Sequence, residues 1–180
     1  MKKILFFILL MTSYTTSFSQ EKVYSTRSGV ISFFSSTPAE KIEAINSQVT
    51  CKMSDKSGQI AFILLIKGFT FENALMQEHF NENYMESSKF SKADFKGIIK
   101  NIAEVNFSKD GIYKVTVDGN LTIHGVTNKV TTLGTITIAS SKVIATAAFN
   151  IKVKDYGITG KYIGEKIANE VETTVTCKFD

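Results

Sequence analysis

Alternation of apolar and polar residues with a period of two constrains this fold more than any other feature of the sequence. Successive side chains of a β-strand point to opposite faces, so this alternation predicts a strand with one buried face. From 112 to 122 the inward residues are Tyr113, Val115, Val117 and Leu121, followed by Ile123. From 142 to 154 they are Val143, Ala145, Ala147, Phe149, Ile151 and Val153. A shorter strand is predicted with Ala93, Phe95 and Ile99 inward.

Residues 59 to 67 are apolar on both predicted faces, with Phe62 and Leu64 on one of them. This pattern predicts a strand that is covered on its outer side as well. Turn-forming residues separate the predicted strands at 55–58, 109–111 and 155–157.

Only residues 73 to 86 have helical spacing, with Asn73 as the predicted N-cap. A second short helical turn is predicted within 160–168. Many strands in series, one main helix and no alternation of strands with helices predict an all-β antiparallel sandwich or barrel. Several inward faces mix small and large residues, which permits an internal cavity in a barrel of about eight strands.

The N-terminus predicts export. Lys2 and Lys3 precede an apolar run from Ile4 to Met11, which is too short to cross a bilayer. Small residues at Ser17 and Ser19 fit the pattern for signal-peptide cleavage. We therefore expect a signal peptide over residues 1–19, a single domain over 20–180, and a periplasmic or secreted protein that does not span a membrane.

Charge and cysteine content narrow the possible functions. The formal net charge of +4 is modest, and no basic patch with interleaved aromatic residues is present, so nucleic acid is not an expected partner. Cys51 and Cys177 are the only cysteines, and both fall on the apolar side of an alternating segment. The sequence leaves open whether they pack as free thiols or form a disulfide.

No motif for catalysis, a metal or a cofactor stands out. His79 and His124 are the only histidines, and no zinc-ligand spacing accompanies them. We expect them to bond loop backbone and to lie at the mouth of the barrel. No nucleophile elbow, phosphate-binding glycine loop or sheltered carboxylate pair is present, so we expect neither an enzyme nor a bound cofactor.

Three segments resemble the YceI-like family of exported bacterial lipid-binding proteins. The most specific is Asp118 to Val130, which contains Ile123-His124-Gly125-Val126-Thr127. Residues 77–97, in which a segment containing a histidine leads into a strand, and residues 154–158, a polar-aromatic-glycine turn, are similar to the corresponding parts of that family. The resemblance implies an antiparallel lipocalin-like β-barrel whose elongated apolar pocket holds a polyisoprenoid or other lipid.

The expected site is the apolar inner wall of this barrel. The candidate pocket residues are Phe62, Leu64, Phe95, Val115, Val117, Phe149 and Ile151. Two other functions remain open at this stage: a stress-response or interaction module with a largely filled barrel, and an enzyme that acts on a lipid. The sequence leaves a homodimer open as well.

Overall fold

The computed structural model describes residues 20–179, and the predicted signal peptide lies outside these residues. Within these residues the chain forms nine β-strands and one α-helix. The strands are β1 (Val23–Ser36), β2 (Lys41–Ser54), β3 (Gln59–Leu65), β4 (Thr70–Phe71), β5 (Lys92–Ile99), β6 (Gly111–Ile123), β7 (Val126–Ala139), β8 (Lys142–Lys152) and β9 (Glu170–Phe179). The helix α1 spans Ala74–His79.

Eight of these strands close an antiparallel barrel, as the sequence predicts. Neighbouring strands follow the order of the chain, and pairing of β1 with both β2 and β9 closes the ring. The short strand β4 also pairs with β2, through Ala44 opposite Phe71 and Ile45 opposite Thr70. Closure leaves the eight barrel strands without a free edge, so their backbone groups are satisfied by neighbours.

The predicted faces are confirmed in β5, β6 and β8. In β6, Val115, Val117 and Leu121 are buried, while Lys114 and Asn120 are exposed. The strand ends at Ile123, and the two-residue turn formed by His124 and Gly125 leads into β7. Both turn residues have positive φ, 52° and 76°, which is the backbone conformation that suits the twist of a tight hairpin.

The predicted helix begins at the expected cap but is shorter than predicted. The Asn73 side chain accepts hydrogen bonds from the backbone N–H groups of Leu75 and Met76, at 2.9 and 3.3 Å. After α1 the chain continues as a π-helical turn over Phe80–Tyr84. The prediction of a second helical turn within 160–168 is wrong, since this segment forms hydrogen-bonded turns joined by a bridge between Ile163 and Ile167.

The interior divides into two parts along the barrel axis. One end is filled, because the connection between β5 and β6 packs Ile102 and Val105 against the inward residues of the strands. We call this part the filled end. The opposite end is covered by two segments. The connection that contains α1 contributes Ile66 and Met85, and residues 153–169 contribute Tyr156. We call this end the covered end.

The predicted cover on the outer face of β3 is wrong. Ile63 and Leu65 point outward and are 43% and 53% exposed. Their apolar character does not reflect burial, because apolar residues occur on protein surfaces as well as in cores. The strand also ends at Leu65, so Lys67 of the predicted segment lies in the 3-10 turn Ile66–Gly68.

The cysteines lie in the interior as two free thiols. Cys51 on β2 and Cys177 on β9 are fully buried, and both strands flank β1. Hydrogen bonding to the Cys177 thiol, followed by burial, raises the pKa of Cys51 well above its ordinary value. Both side chains therefore pack as small core residues.

Candidate functional site

An apolar cavity of about 520 Å³ occupies the barrel interior and reaches the covered end. All seven candidate pocket residues lie on its wall, from Ile151 near the covered end to Val115 and Val117 near the filled end. The structure therefore brings together on one surface side chains from β3, β5, β6 and β8.

Small inward residues leave room for the cavity. Ala145 and Ala147 on β8 and Gly134 on β7 lie side by side on its wall, with Gly134 directly opposite Ala147 in the sheet. Interiors without a cavity are packed as densely as organic crystals. Here the absence of large side chains at these three positions leaves open the volume that such side chains would fill.

A belt of large side chains surrounds the middle of the cavity. Ile31, Phe62, Phe95 and Phe149 are each partly buried, and each packs against both the filled end and the covered end. The rings of Phe62 and Phe95 have their centres 5.9 Å apart. Deeper residues such as Ile99 and Ile136 still line the cavity, so the belt narrows the cavity without closing it.

Four phenylalanines form a cluster where the connection containing α1 meets the barrel. Phe33, Phe69, Phe71 and Phe80 have ring centres 5.0 to 5.9 Å apart in five pairs. These distances lie in the range in which tilted and offset aromatic pairs attract each other. The cluster holds the π-helical turn and β4 against the cavity wall.

The rim of the cavity carries its polar and exposed groups. Leu75 of α1 is 57% exposed and Tyr162 is 40% exposed, and both border the opening together with Glu40 and Lys166. The ammonium group of Lys166 lies 5.3 Å from the centre of the Tyr162 ring. Burial, with smaller effects from Tyr162 and Glu40, raises the pKa of Tyr84, so this hydroxyl remains neutral at neutral pH.

A buried polar side chain without a hydrogen-bond partner among the described residues lies in the wall. Thr173 on β9 is 5% exposed, and its Oγ1 has no hydrogen-bond partner among residues 20–179. It is directly opposite Phe33 on β1 and Phe149 on β8. Ser35, Thr135 and Thr146 also line the cavity, but most of its wall is apolar, so the cavity favours long apolar ligands over polar ones.

The two histidines occupy different positions. His79, at the end of α1, lies on the rim of the cavity. His124 lies in the β6–β7 turn, where its Nε2 is 2.9 Å from Glu86 Oε2 and its Nδ1 is 3.3 Å from the backbone oxygen of Tyr156. The Phe90 ring packs against the imidazole with centres 4.3 Å apart. His124 therefore ties together both segments that cover the barrel.

Sequence reasoning missed the phenylalanine cluster and the rim residues other than His79. Phe69 and Phe71 flank a polar Thr70, and this short alternation could have predicted that both rings share one face. No periodicity could have predicted Tyr162, because it lies in irregular structure.

Residues 20–179 contain no group of three or more histidine, cysteine, aspartate or glutamate side chains that could hold a metal ion. Among the same residues, no helix combines the length and apolar character needed to cross a bilayer.

Eight antiparallel strands, full closure and an apolar internal cavity are together the features of a lipocalin-like barrel. The chain therefore has lipocalin-like architecture. The YceI-like domain matches residues 14–179, which covers nearly the whole sequence. The chain belongs to the YceI-like family, and this confirms the resemblance found in the sequence.

Solved structures share this fold at low sequence identity. A polyisoprenoid-binding domain from Saccharophagus degradans is 14% identical over 88% of this chain and 97% of its own, with a TM-score of 0.76. BcnA from Burkholderia cenocepacia is 16% identical over 82% and 94%, with a TM-score of 0.65. The YceI protein of Campylobacter jejuni is 13% identical over 74% and 80%, with a TM-score of 0.55. No curated protein sequence matches significantly.

Proposed function

We propose that this protein binds a long apolar ligand, a polyisoprenoid or a similar lipid, inside its barrel and carries or sequesters it in the periplasm. The observation that carries the proposal is the apolar cavity of about 520 Å³, a volume within the range of about 300–1,000 Å³ that is typical of ligand pockets. A largely filled barrel would leave no such volume, so the cavity favours lipid binding over the alternative of a filled interaction module.

Burial of hydrocarbon supplies the binding energy. Each methylene removed from water contributes about 0.8 kcal/mol, so a chain of several isoprene units needs few polar contacts. The ligand chain lies along the wall between Leu64 and Val117, and a polar end group remains near Tyr162 and Lys166 at the rim. Such a site discriminates by length and shape more than by precise hydrogen bonding.

The family and the named relative support the ligand class. The chain belongs to the YceI-like family, and the Saccharophagus degradans relative is described as a polyisoprenoid-binding domain. A periplasmic location rests on the predicted signal peptide. Intact-mass measurement of the exported protein tests it, since the mature chain is expected to begin at Gln20 and retention of residues 1–10 would contradict export by this route.

Native mass spectrometry of protein purified from its own host tests the binding function. We expect an added mass that is released by organic solvent and identified as a lipid. Ala147→Phe places a ring in the cavity, whereas Ala148→Phe places the same ring on the exposed outer face of β8. The first variant should lose most of the bound lipid and the second should retain it. Wild-type protein without a bound lipid, or equal occupancy in both variants, would contradict the proposal.

A further inference from the structure

Two glycines face each other on the inner wall at the level of the belt. Gly97 on β5 and Gly119 on β6 are directly opposite in the antiparallel register. Neighbouring strands of a sheet lie close together, so two opposed residues without side chains leave a shallow recess in the wall. Sequence alternation places both residues inward, and β-strands rarely benefit from glycine unless something approaches the backbone closely.

The ring of Phe95 fills this recess. A Cβ atom built on Gly97 would lie 2.6 Å from Phe95 Cζ and 2.7 Å from Cε1. A Cβ atom on Gly119 would lie 2.6 Å from Phe95 Cε2 and still closer to Cζ. Real Cβ atoms do not approach other atoms so closely. The Gly97 Cβ would also lie 2.5 Å from the backbone oxygen of Asp118, so both the ring and the neighbouring strand exclude a larger residue here. Phe95 is therefore folded flat against the wall.

The position of this ring decides how far the cavity extends. Phe95 belongs to the belt, and the residues beyond the belt include Ile99, Val115 and Val117. The strand backbones lie behind the recess, so a displaced ring can move only into the lumen. A ring in the lumen would separate the deep part of the cavity from the part that opens at the rim.

We propose that Gly97 and Gly119 determine the length of the ligand by holding the Phe95 ring out of the ligand's path. This inference rests on the proposed function and goes further, because it assigns chain-length selection to the glycine pair. With the ring in its recess, a long prenyl chain passes the belt and reaches the filled end. With the recess occupied by a methyl group, the ring blocks the lumen and only short chains fit.

The test compares a short and a long prenyl alcohol, geraniol and geranylgeraniol, as probes of the delipidated full chain. Native mass spectrometry measures the affinity for each. We expect Gly119→Ala to keep its affinity for geraniol and to lose at least about tenfold for geranylgeraniol, the equivalent of about 1.4 kcal/mol. Equal affinity of wild type and Gly119→Ala for geranylgeraniol would overturn the inference while the proposed function stands.

A double variant separates ring displacement from backbone strain. The Gly119 Cβ would also lie 2.6 Å from the carbonyl oxygen of Lys96, so the substitution strains the sheet whatever the ring does. In a Phe95→Ala background there is no ring to displace, and adding Gly119→Ala should then leave the geranylgeraniol affinity unchanged within about threefold. An unchanged tenfold loss in that background would assign the effect to strain and overturn the inference.

A measurement without a substitution covers the case in which Gly119→Ala does not fold. In wild-type protein loaded with geranylgeraniol, NMR should show nuclear Overhauser effects from the Phe95 ring protons to the α-protons of Gly97 and Gly119. Their absence in the loaded protein would show that the ring leaves the recess, which would overturn the inference. Wild-type protein that binds neither alcohol would overturn the proposed function and this inference together.

Discussion

Replacing Gly125 with alanine tests how the β6–β7 turn fixes the segments that cover the barrel. The backbone at Gly125 has φ 76°, a conformation that costs a residue with a Cβ atom about 1–2 kcal/mol. The new methyl group would also lie 2.6 Å from Cε1 of Phe90. Moving a packed ring to relieve such an overlap typically costs about 1–3 kcal/mol. The two effects together predict a destabilisation of about 2–5 kcal/mol.

Urea unfolding followed by circular dichroism measures this loss. For a chain of this size about 2 kcal/mol lowers the melting temperature by roughly 4–8 °C. Gly111→Ala is the matched control, because Gly111 begins the same strand, its φ is not positive, and its nearest neighbours in the Tyr113 ring lie at 3.4 Å. That substitution should change the stability by less than about 0.5 kcal/mol.

The comparison is direct because both variants add one methyl group next to an aromatic ring. If Gly125→Ala is as stable as Gly111→Ala, the reasoning from φ and from the Phe90 contact is refuted. A changed dependence of the unfolding free energy on urea concentration would instead show that the compactness of one state has changed. The melting temperatures of the two variants would then show whether Gly125→Ala is less stable than Gly111→Ala.

Three further predictions concern the cavity, the helix cap and the thiols. Val117→Lys should abolish lipid co-purification in native mass spectra while the stripped protein still folds, because water can enter the emptied cavity. Thr116→Lys on the opposite face should retain the lipid. Equal tolerance of both substitutions would contradict the assigned faces. Asn73→Ala should cost about 1 kcal/mol and speed hydrogen exchange in α1, so unchanged exchange would exclude a capping role. Cys51 and Cys177 should react with dithionitrobenzoate only on unfolding, since both are fully buried and the pKa of Cys51 is raised. Rapid labelling of the native protein would contradict their placement in the interior.

The sequence by itself determined that β3, β5, β6 and β8 are strands, and which faces of β5, β6 and β8 point inward. A period of two is a local property, so Val115, Val117 and Phe149 could be assigned to the interior without knowing which strands are neighbours. Turn chemistry was equally local, and it correctly separated β2 from β3 at residues 55–58. The family signature from Asp118 to Val130 then predicted a closed barrel over a sandwich, and the structure confirms the barrel.

Only the tertiary structure decided what the strand faces meet. The apolar outer residues Ile63 and Leu65 gave the same pattern as a covered strand, because alternation cannot tell whether anything packs on the second face. The pairing of His124 with Glu86 joins residues far apart in the chain. Neither the spacing nor the identity of these residues predicts it.

The cavity itself is the clearest case of a property that arises only on closure. Phe95 lies in a recess because the register of β5 against β6 sets Gly97 opposite Gly119, and a slip of one residue would turn each of these side chains to the other face. Register depends on the twist and stagger of the whole barrel. The sequence therefore determined which residues of β5, β6 and β8 face the lumen, whereas the packing of neighbouring strands decided how much of that lumen remains empty.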